Sequence, residues 1–229
     1  MRPLVVAIDG PAGAGKSTVS RRLAQRLGFQ YVDTGSMYRV IGVLAAERGI
    51  APDDAAALDQ LCRETRISFR DDEQGRTRVF ADGRDLTEAI RTPEAAQWAS
   101  KVSAVPEVRA HLVAQQRALG ARGGVVMEGR DIGTVVFPDA MAKFFLDASP
   151  LERARRRAAE WHREVSEAEI EAVAKEIAER DARDRQRAHA PLKPAPDAVY
   201  VDTTEKSIDE VVQMLYEIVA ARRAELARL

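Results

Sequence analysis

The sequence predicts an α/β fold with a parallel sheet covered by helices on both faces, plus an antiparallel insertion and a charged helical segment. Three observations predict it. Apolar runs of strand length recur at residues 4–8, 29–32, 124–127, 143–146 and 199–201. Helical patterns stand between and after them at 16–27, 35–48, 106–119 and 208–219, the alternation that builds parallel sheets. Two stretches, 62–101 and 150–187, break the alternation.

In chain order, Leu4-Val5-Val6-Ala7-Ile8 is a continuous apolar run, as in a strand buried on both faces. Glycines follow, then a helix over 16–27 with Val19, Leu23, Ala24 and Leu27 at helical spacing and Gly28 as its stop signal. A short strand over 29–32 leads to a helix over 35–48 that ends near Gly49. Residues 66–70 and 76–80 both alternate in character, and the Asp- and Gly-containing spacer between them predicts a hairpin. The segment 150–187 is Arg-rich and helical, with Pro191, Pro194 and Pro196 closing it. So much charge reads as a movable flap rather than core. The expected organisation is one domain over 1–229: a core of 1–61, 102–149 and 188–229, an insert over 62–101 and a lid region over 150–187.

The chain's 229 residues suit one large domain or a core with insertions, and a body of that size buries roughly 70–75% of its unfolded surface without staples. Lys plus Arg is 35 and Asp plus Glu is 36. That balance argues against non-specific binding to long nucleic acid, which needs a positive field. Cys62 is the single cysteine, so no intrachain disulfide or cysteine-rich zinc site forms. No window approaches the ~18 apolar residues of a membrane span, and the first apolar run is too short for a signal peptide. A cytoplasmic monomer is expected.

Gly10-Pro11-Ala12-Gly13-Ala14-Gly15-Lys16-Ser17 matches the phosphate-loop pattern G-x-x-x-x-G-K-[ST] in full, with the required strand before it and helix after it. Glycines let the backbone wrap a phosphate with its N–H groups inward, and the following helix adds the positive end of its dipole. Lys16 suits the β- and γ-phosphates, and Ser17 suits Mg²⁺. The predicted ATP contacts are these eight residues and Thr18.

The guanine-reading N-K-x-D motif of regulatory GTPases needs Asn, and this chain has none. The run Val125-Val126-Met127 ends in Glu128-Gly129-Arg130-Asp131 rather than the Asp or Asp-Glu of many transport ATPases. No Ser-His-Asp arrangement, H-E-x-x-H or H-R-D loop is present. His111, His162 and His189 are scattered, read as surface residues and carry no assigned role. An acceptor that already bears an ionised phosphate oxygen needs no general base. Alignment and charge neutralisation by Lys, Arg and Mg²⁺ then suffice.

Asp9-Gly10-Pro11, the phosphate loop, Asp33-Thr34-Gly35-Ser36-Met37-Tyr38-Arg39, the run from Glu128 through Arg130, Asp131 and Gly133 to Pro138, and the Arg-rich segment 180–187 follow in an order that resembles the bacterial cytidylate kinases. These are P-loop, ATP-dependent nucleoside monophosphate kinases, and the resemblance spans essentially the whole chain. It implies a five-stranded parallel sheet, a monophosphate-binding α+β insert, an arginine-bearing lid, and ATP-driven phosphorylation of CMP and dCMP. It places Thr34, Ser100, Arg109 and Asp131 on cytosine, Arg39, Arg130 and Arg187 on the monophosphate, and Arg180 and Asp184 on the sugar. Lid arginines Arg153 and Arg157 would meet ATP and, with Lys16 and Arg130, carry the catalytic assignment. UMP, AMP or a small metabolite as acceptor is the alternative.

The residues themselves bear on some of these roles. Arg180, Asp184 and Arg187 are four and three apart and share a helix face, which fits either a site or a solvated ion-pair face. Arg39, one turn after Gly35, is disfavoured by the helix dipole unless an anion offsets it; an exposed Arg is the plain alternative. Asp131 reads equally as a base contact or as support for Mg²⁺. Trp98 and Trp161 read as packing residues.

Overall fold

The computed structural model describes residues 4–159, 164–187 and 189–228. Trp161 and His162 lie outside the described residues. The chain divides into two compact units, one of residues 1–31 with 122–229 and the other of residues 32–121.

The first unit is built on a five-stranded sheet. β1 (Val5–Asp9) is central and pairs in parallel with β6 (Val125–Gly129) and β7 (Ala142–Asp147). β7 pairs in parallel with β8 (Val199–Asp202), and β2 (Gln30–Asp33) lies beside β6. Every residue of β1 and β6 is buried, which is why Val5–Ile8 and Val125–Met127 are unbroken apolar runs, each followed by a buried carboxylate, Asp9 and Glu128. Register sets Asp9 opposite Gly129 on one side and Phe145 on the other, so β1 and β6 reach the same sheet edge.

α1 (Lys16–Leu27) runs as predicted from its spacing. Gly28 closes it in the left-handed region at φ 67°, donating to the carbonyls of Ala24 and Gln25. Val19 and Leu23 of α1 pack with Val6 and Ile8 of β1 and with Val211, Leu215 and Val219 of α8 (Ile208–Leu226) in one apolar core. α8 starts on a capping box between Ser207 and Glu210 and runs beyond the predicted 208–219. The Arg-rich segment forms two helices, α6 (Pro150–Ala159) and α7 (Glu167–Gln186), with Ala154, Val173 and Ile177 in a small core between them.

The second unit holds α2 (Thr34–Glu47), α3 (Ala55–Glu64), the antiparallel strands β3 (Ile67–Asp71), β4 (Thr77–Ala81) and β5 (Arg84–Asp85), α4 (Pro93–Val102) and α5 (Pro106–Gly120). The predicted hairpin forms one residue later than expected, with Asp71 facing Thr77 across its turn. Position 62, the expected start of the insert, lies inside α3. A Cβ at Gly42 would lie 2.6 Å from the Trp98 Cβ, so only glycine lets α2 and α4 approach this closely. Trp98 packs there. Cys62 is buried in α3, and burial pushes its thiol up to about 12, the inert condition of a structural cysteine.

Candidate active site

The phosphate loop leaves β1 through backbone that only glycine tolerates. Gly10, Gly13 and Gly15 have φ of 148°, 76° and 82°. A Cβ on Gly10 would meet the Leu146 carbonyl oxygen at 2.0 Å, and one on Gly13 would meet the Arg153 carbonyl oxygen at 2.7 Å. The glycines therefore serve two ends: they set the curvature of the loop, and they let it seat against β7 and α6. Gly15 is the N-cap of α1 and makes no side-chain capping bond, and no acidic residue occupies the first turn. The opening amides and dipole of α1 are thus suited to an external anion. Lys16 is buried and its Nζ donates to the Pro11 carbonyl at 2.6 Å. Ser17 and Thr18 are exposed on the first turn of α1.

Positive charge gathers around this loop. Burial lowers the Lys16 pKa to about 7, with Arg130 and Arg180 adding to the effect and Glu128 and Asp9 opposing it. Arg130, just past the end of β6, donates from Nε to Asp184 at 3.2 Å and from Nη1 to the Gly129 carbonyl at 3.2 Å. Asp184 also pairs with Arg187, so a buried carboxylate holds two arginines assigned to the monophosphate. The shared face of Arg180, Asp184 and Arg187 is therefore not a solvated surface stripe: Asp184 is only 2% exposed.

Arg153 is buried. Its Nε donates to the Ala148 carbonyl at 3.1 Å, its Nη1 donates to the Ala12 carbonyl at 3.2 Å, and it pairs with buried Asp181 on α7. It fastens α6 to the phosphate loop. Arg157 on α6 is half-buried. Two residues outside the sequence-derived set support the loop. Arg156 donates to the Thr203 hydroxyl at 2.9 Å and to its carbonyl at 2.7 Å. The Thr203 hydroxyl donates to the Asp147 carbonyl at 3.0 Å and sits 3.3 Å from the Ala14 carbonyl. No local signal distinguishes Arg156 among three consecutive arginines.

In the second unit, Asp33 caps α2, accepting from the Ser36 amide at 3.1 Å and the Ser36 hydroxyl at 2.5 Å. Arg39 pairs with Asp33 at 2.6 Å. Burial works against the Asp33 charge, but Arg39 and Ser36 outweigh it and hold the carboxyl below its ordinary range. The anion that offsets the dipole penalty on Arg39 is therefore Asp33 itself. Thr34 is buried at the start of α2, Ser100 is half-buried on α4, and buried Arg109 lies over the Tyr38 ring at 5.6 Å. His111 is not a plain surface residue: its Nε2 lies 2.8 Å from Asp59, tying α5 to α3. His189 is exposed.

The family model of cytidylate kinase matches residues 6–221. The chain belongs to the cytidylate kinase family. Among curated relatives, a cytidylate kinase of Syntrophotalea carbinolica is 48% identical over 223 residues, covering 97% of this chain and 94% of its own. One from Solibacter usitatus is 50% identical, covering 96% and 93%. A third, from Pelotomaculum thermopropionicum, is 49% identical, covering 96% and 97%. The cytidylate kinase match runs through both units, from the second residue of β1 into α8, and includes every candidate residue named above.

A kinase of this family typically needs a divalent metal, and the oxygen chemistry of the loop fits one. Ser17 offers an exposed hydroxyl at the start of α1. Among the described residues no cluster of three His, Cys, Asp or Glu is poised to hold an ion. Among the described residues no helix is long and apolar enough to cross a membrane.

Proposed function

We propose that this chain transfers the γ-phosphoryl group of ATP to CMP and dCMP, giving ADP with CDP or dCDP. The observation that carries the reading is the glycine-built anion cradle with buried Lys16 at its floor, in a chain of the cytidylate kinase family. An ionised oxygen of the acceptor phosphate attacks the γ-phosphorus as the bond to the β,γ-bridging oxygen breaks, and ADP leaves with that electron pair. No base is needed, because a phosphate monoester is already largely ionised at pH 7. Catalysis is then alignment and charge stabilisation.

In this scheme residues 10–18 wrap the ATP phosphates, donating the backbone N–H groups of every residue but Pro11, and Lys16 bridges β and γ. Mg²⁺, held by Ser17 and the phosphates, would neutralise charge on their oxygens. Arg130, Arg153 and Arg157 stabilise the charge that develops on the transferred group. Thr34, Ser100, Arg109 and Asp131 meet cytosine, Arg39, Arg130 and Arg187 hold the monophosphate, and Arg180 and Asp184 meet the sugar. Residues 62–101 serve as the monophosphate-binding insert and 150–187 as the lid that excludes water. We infer a cytoplasmic monomer that acts on small molecules rather than on nucleic acid or membranes.

An ADP-release assay over CMP, dCMP, UMP, AMP, GMP and shikimate tests the acceptor. CMP and dCMP should give the highest kcat/KM; preferential turnover of AMP or shikimate defeats the cytidine reading.

A further inference from the structure

Asp9 is the last residue of β1 and the residue just before the phosphate loop. Its carboxylate is engaged by backbone far along the chain, beyond β6. Oδ1 accepts the amide of Ile132 at 2.8 Å, and Oδ2 accepts the amide of Gly133 at 2.8 Å. Those are the first two amides of a single π turn, Ile132–Val136, that follows Arg130 and Asp131. Opening amides of a helical turn have no partner within the turn. The residue in the capping position is Asp131, and its side chain makes no capping bond. The cap comes instead from a strand 123 positions earlier in the chain.

An Asp at the start of a turn ordinarily folds its carboxylate onto the next amides. With Asp9 occupying them, the carboxylate of Asp131 is kept off its own turn. The Asp131 carbonyl accepts from Val135 at 2.9 Å and Val136 at 3.2 Å, so its backbone is held from the other side as well. The fit is close. A Cβ on Gly133 would lie 3.2 Å from Cδ of Lys143 and 3.4 Å from Oδ2 of Asp9. β1 and β6 are in register at Asp9 and Gly129, so the same residue joins the root of the loop to the root of the Arg130–Asp131 segment.

We propose that Asp9 is a positioning residue for phosphoryl transfer: it caps the Ile132–Val136 turn in trans and so sets Arg130 and Asp131 against the start of the phosphate loop. The proposal rests on the function given above, in which those two residues serve the acceptor. Its competitor is a plain charge role, in which Asp9 merely supports the Lys16 ammonium. The two predict losses on opposite substrates.

Asp9→Asn tests this, because it keeps the shape but turns an NH₂ group toward one of the two amides. Kinetics with CMP varied, ATP affinity by calorimetry without acceptor, and hydrogen exchange at Ile132 and Gly133 are the readouts. Expected are a roughly 10- to 100-fold loss in kcat/KM for CMP, ATP affinity within about twofold of wild type, and faster exchange at both amides. Loss of ATP affinity with CMP kinetics intact assigns Asp9 to Lys16 and overturns the proposal, as does wild-type behaviour throughout. Gly133→Ala presses on the same contact while leaving every charge in place, and it should reproduce the CMP-side loss even if the first variant folds poorly. A wild-type chain that fails to phosphorylate CMP defeats the functional reading instead. In that case unchanged exchange at the two amides in Asp9→Asn would still overturn the cap.

Discussion

Nζ of Lys16 donates to the carbonyl of Pro11 at 2.6 Å, so the lysine of the phosphate loop is folded back on the loop it belongs to. Burial is the main reason its pKa falls to about 7, with the Arg130 charge next. A base whose pKa is lowered in the folded protein is largely neutral above that value. A triphosphate favours the ammonium, so ATP binding at pH 8 should take up about one proton. Calorimetry in buffers of different ionisation enthalpy measures this directly; no uptake at pH 8 contradicts a neutral Lys16 before binding.

Asp9 shifts the other way. Burial raises its pKa from 3.8 to about 7, against the two amide bonds that favour the charged form. A carboxyl whose folded pKa is raised contributes stability that is fully present below its unfolded pKa and lost as pH rises through the folded one. The stability difference between wild type and Asp9→Asn should therefore fall steadily from about pH 4 to about pH 7. Urea midpoints across that range check it, and a flat difference means the carboxylate is ionised throughout.

The buried pair of Arg153 and Asp181 joins α6 to α7 while Arg153 also holds the Ala12 carbonyl. Removing one partner leaves an uncompensated buried charge. Asp181→Ala should cost about 3–5 kcal/mol, read as a shift in the urea midpoint. A loss under about 1 kcal/mol, the scale of an exposed pair, contradicts a buried role.

Gly10 and Gly75 separate two uses of glycine. Both have positive φ, but a Cβ at Gly10 would overlap the Leu146 carbonyl oxygen at 2.0 Å, whereas Gly75 has open space around it. Gly75→Ala should cost only the left-handed backbone term, about 1–2 kcal/mol. Gly10→Ala should prevent a stable fold, as judged by soluble yield and far-UV dichroism. Equal stability of the two variants contradicts the close approach of the loop to β7.

Much of the architecture was legible because its signals are local. The phosphate loop carries its own spacing, the buried strands are unbroken apolar runs, and α1 ends at a glycine placed where a helix stop belongs. α3 was missed although Asp54 caps it and Leu58, Leu61 and Cys62 line its buried face, because three alanines open it and blur the pattern. β5 is two residues long and has no readable period. What the sequence does not display is partnership at a distance. Asp181 looks like one more charge in a run of charges, and only the folded chain brings it to Arg153. The π turn at Ile132–Val136 reads locally as a β-branched apolar stretch; its conformation is imposed by Asp9 from the far side of the sequence. Arg39 is the intermediate case: its partner Asp33 lies in the same short motif, yet the pairing depends on the cap geometry of α2.

The central claim is that the loop directs the γ-phosphoryl group of ATP onto CMP. Following γ-labelled ATP in the presence of CMP tests it most directly, with Lys16→Ala as the comparison. Label should appear in CDP with the wild-type chain and fall by at least about 100-fold in a Lys16→Ala variant of unchanged dichroism. Label recovered only as inorganic phosphate, or CDP formed equally well without Lys16, contradicts the account.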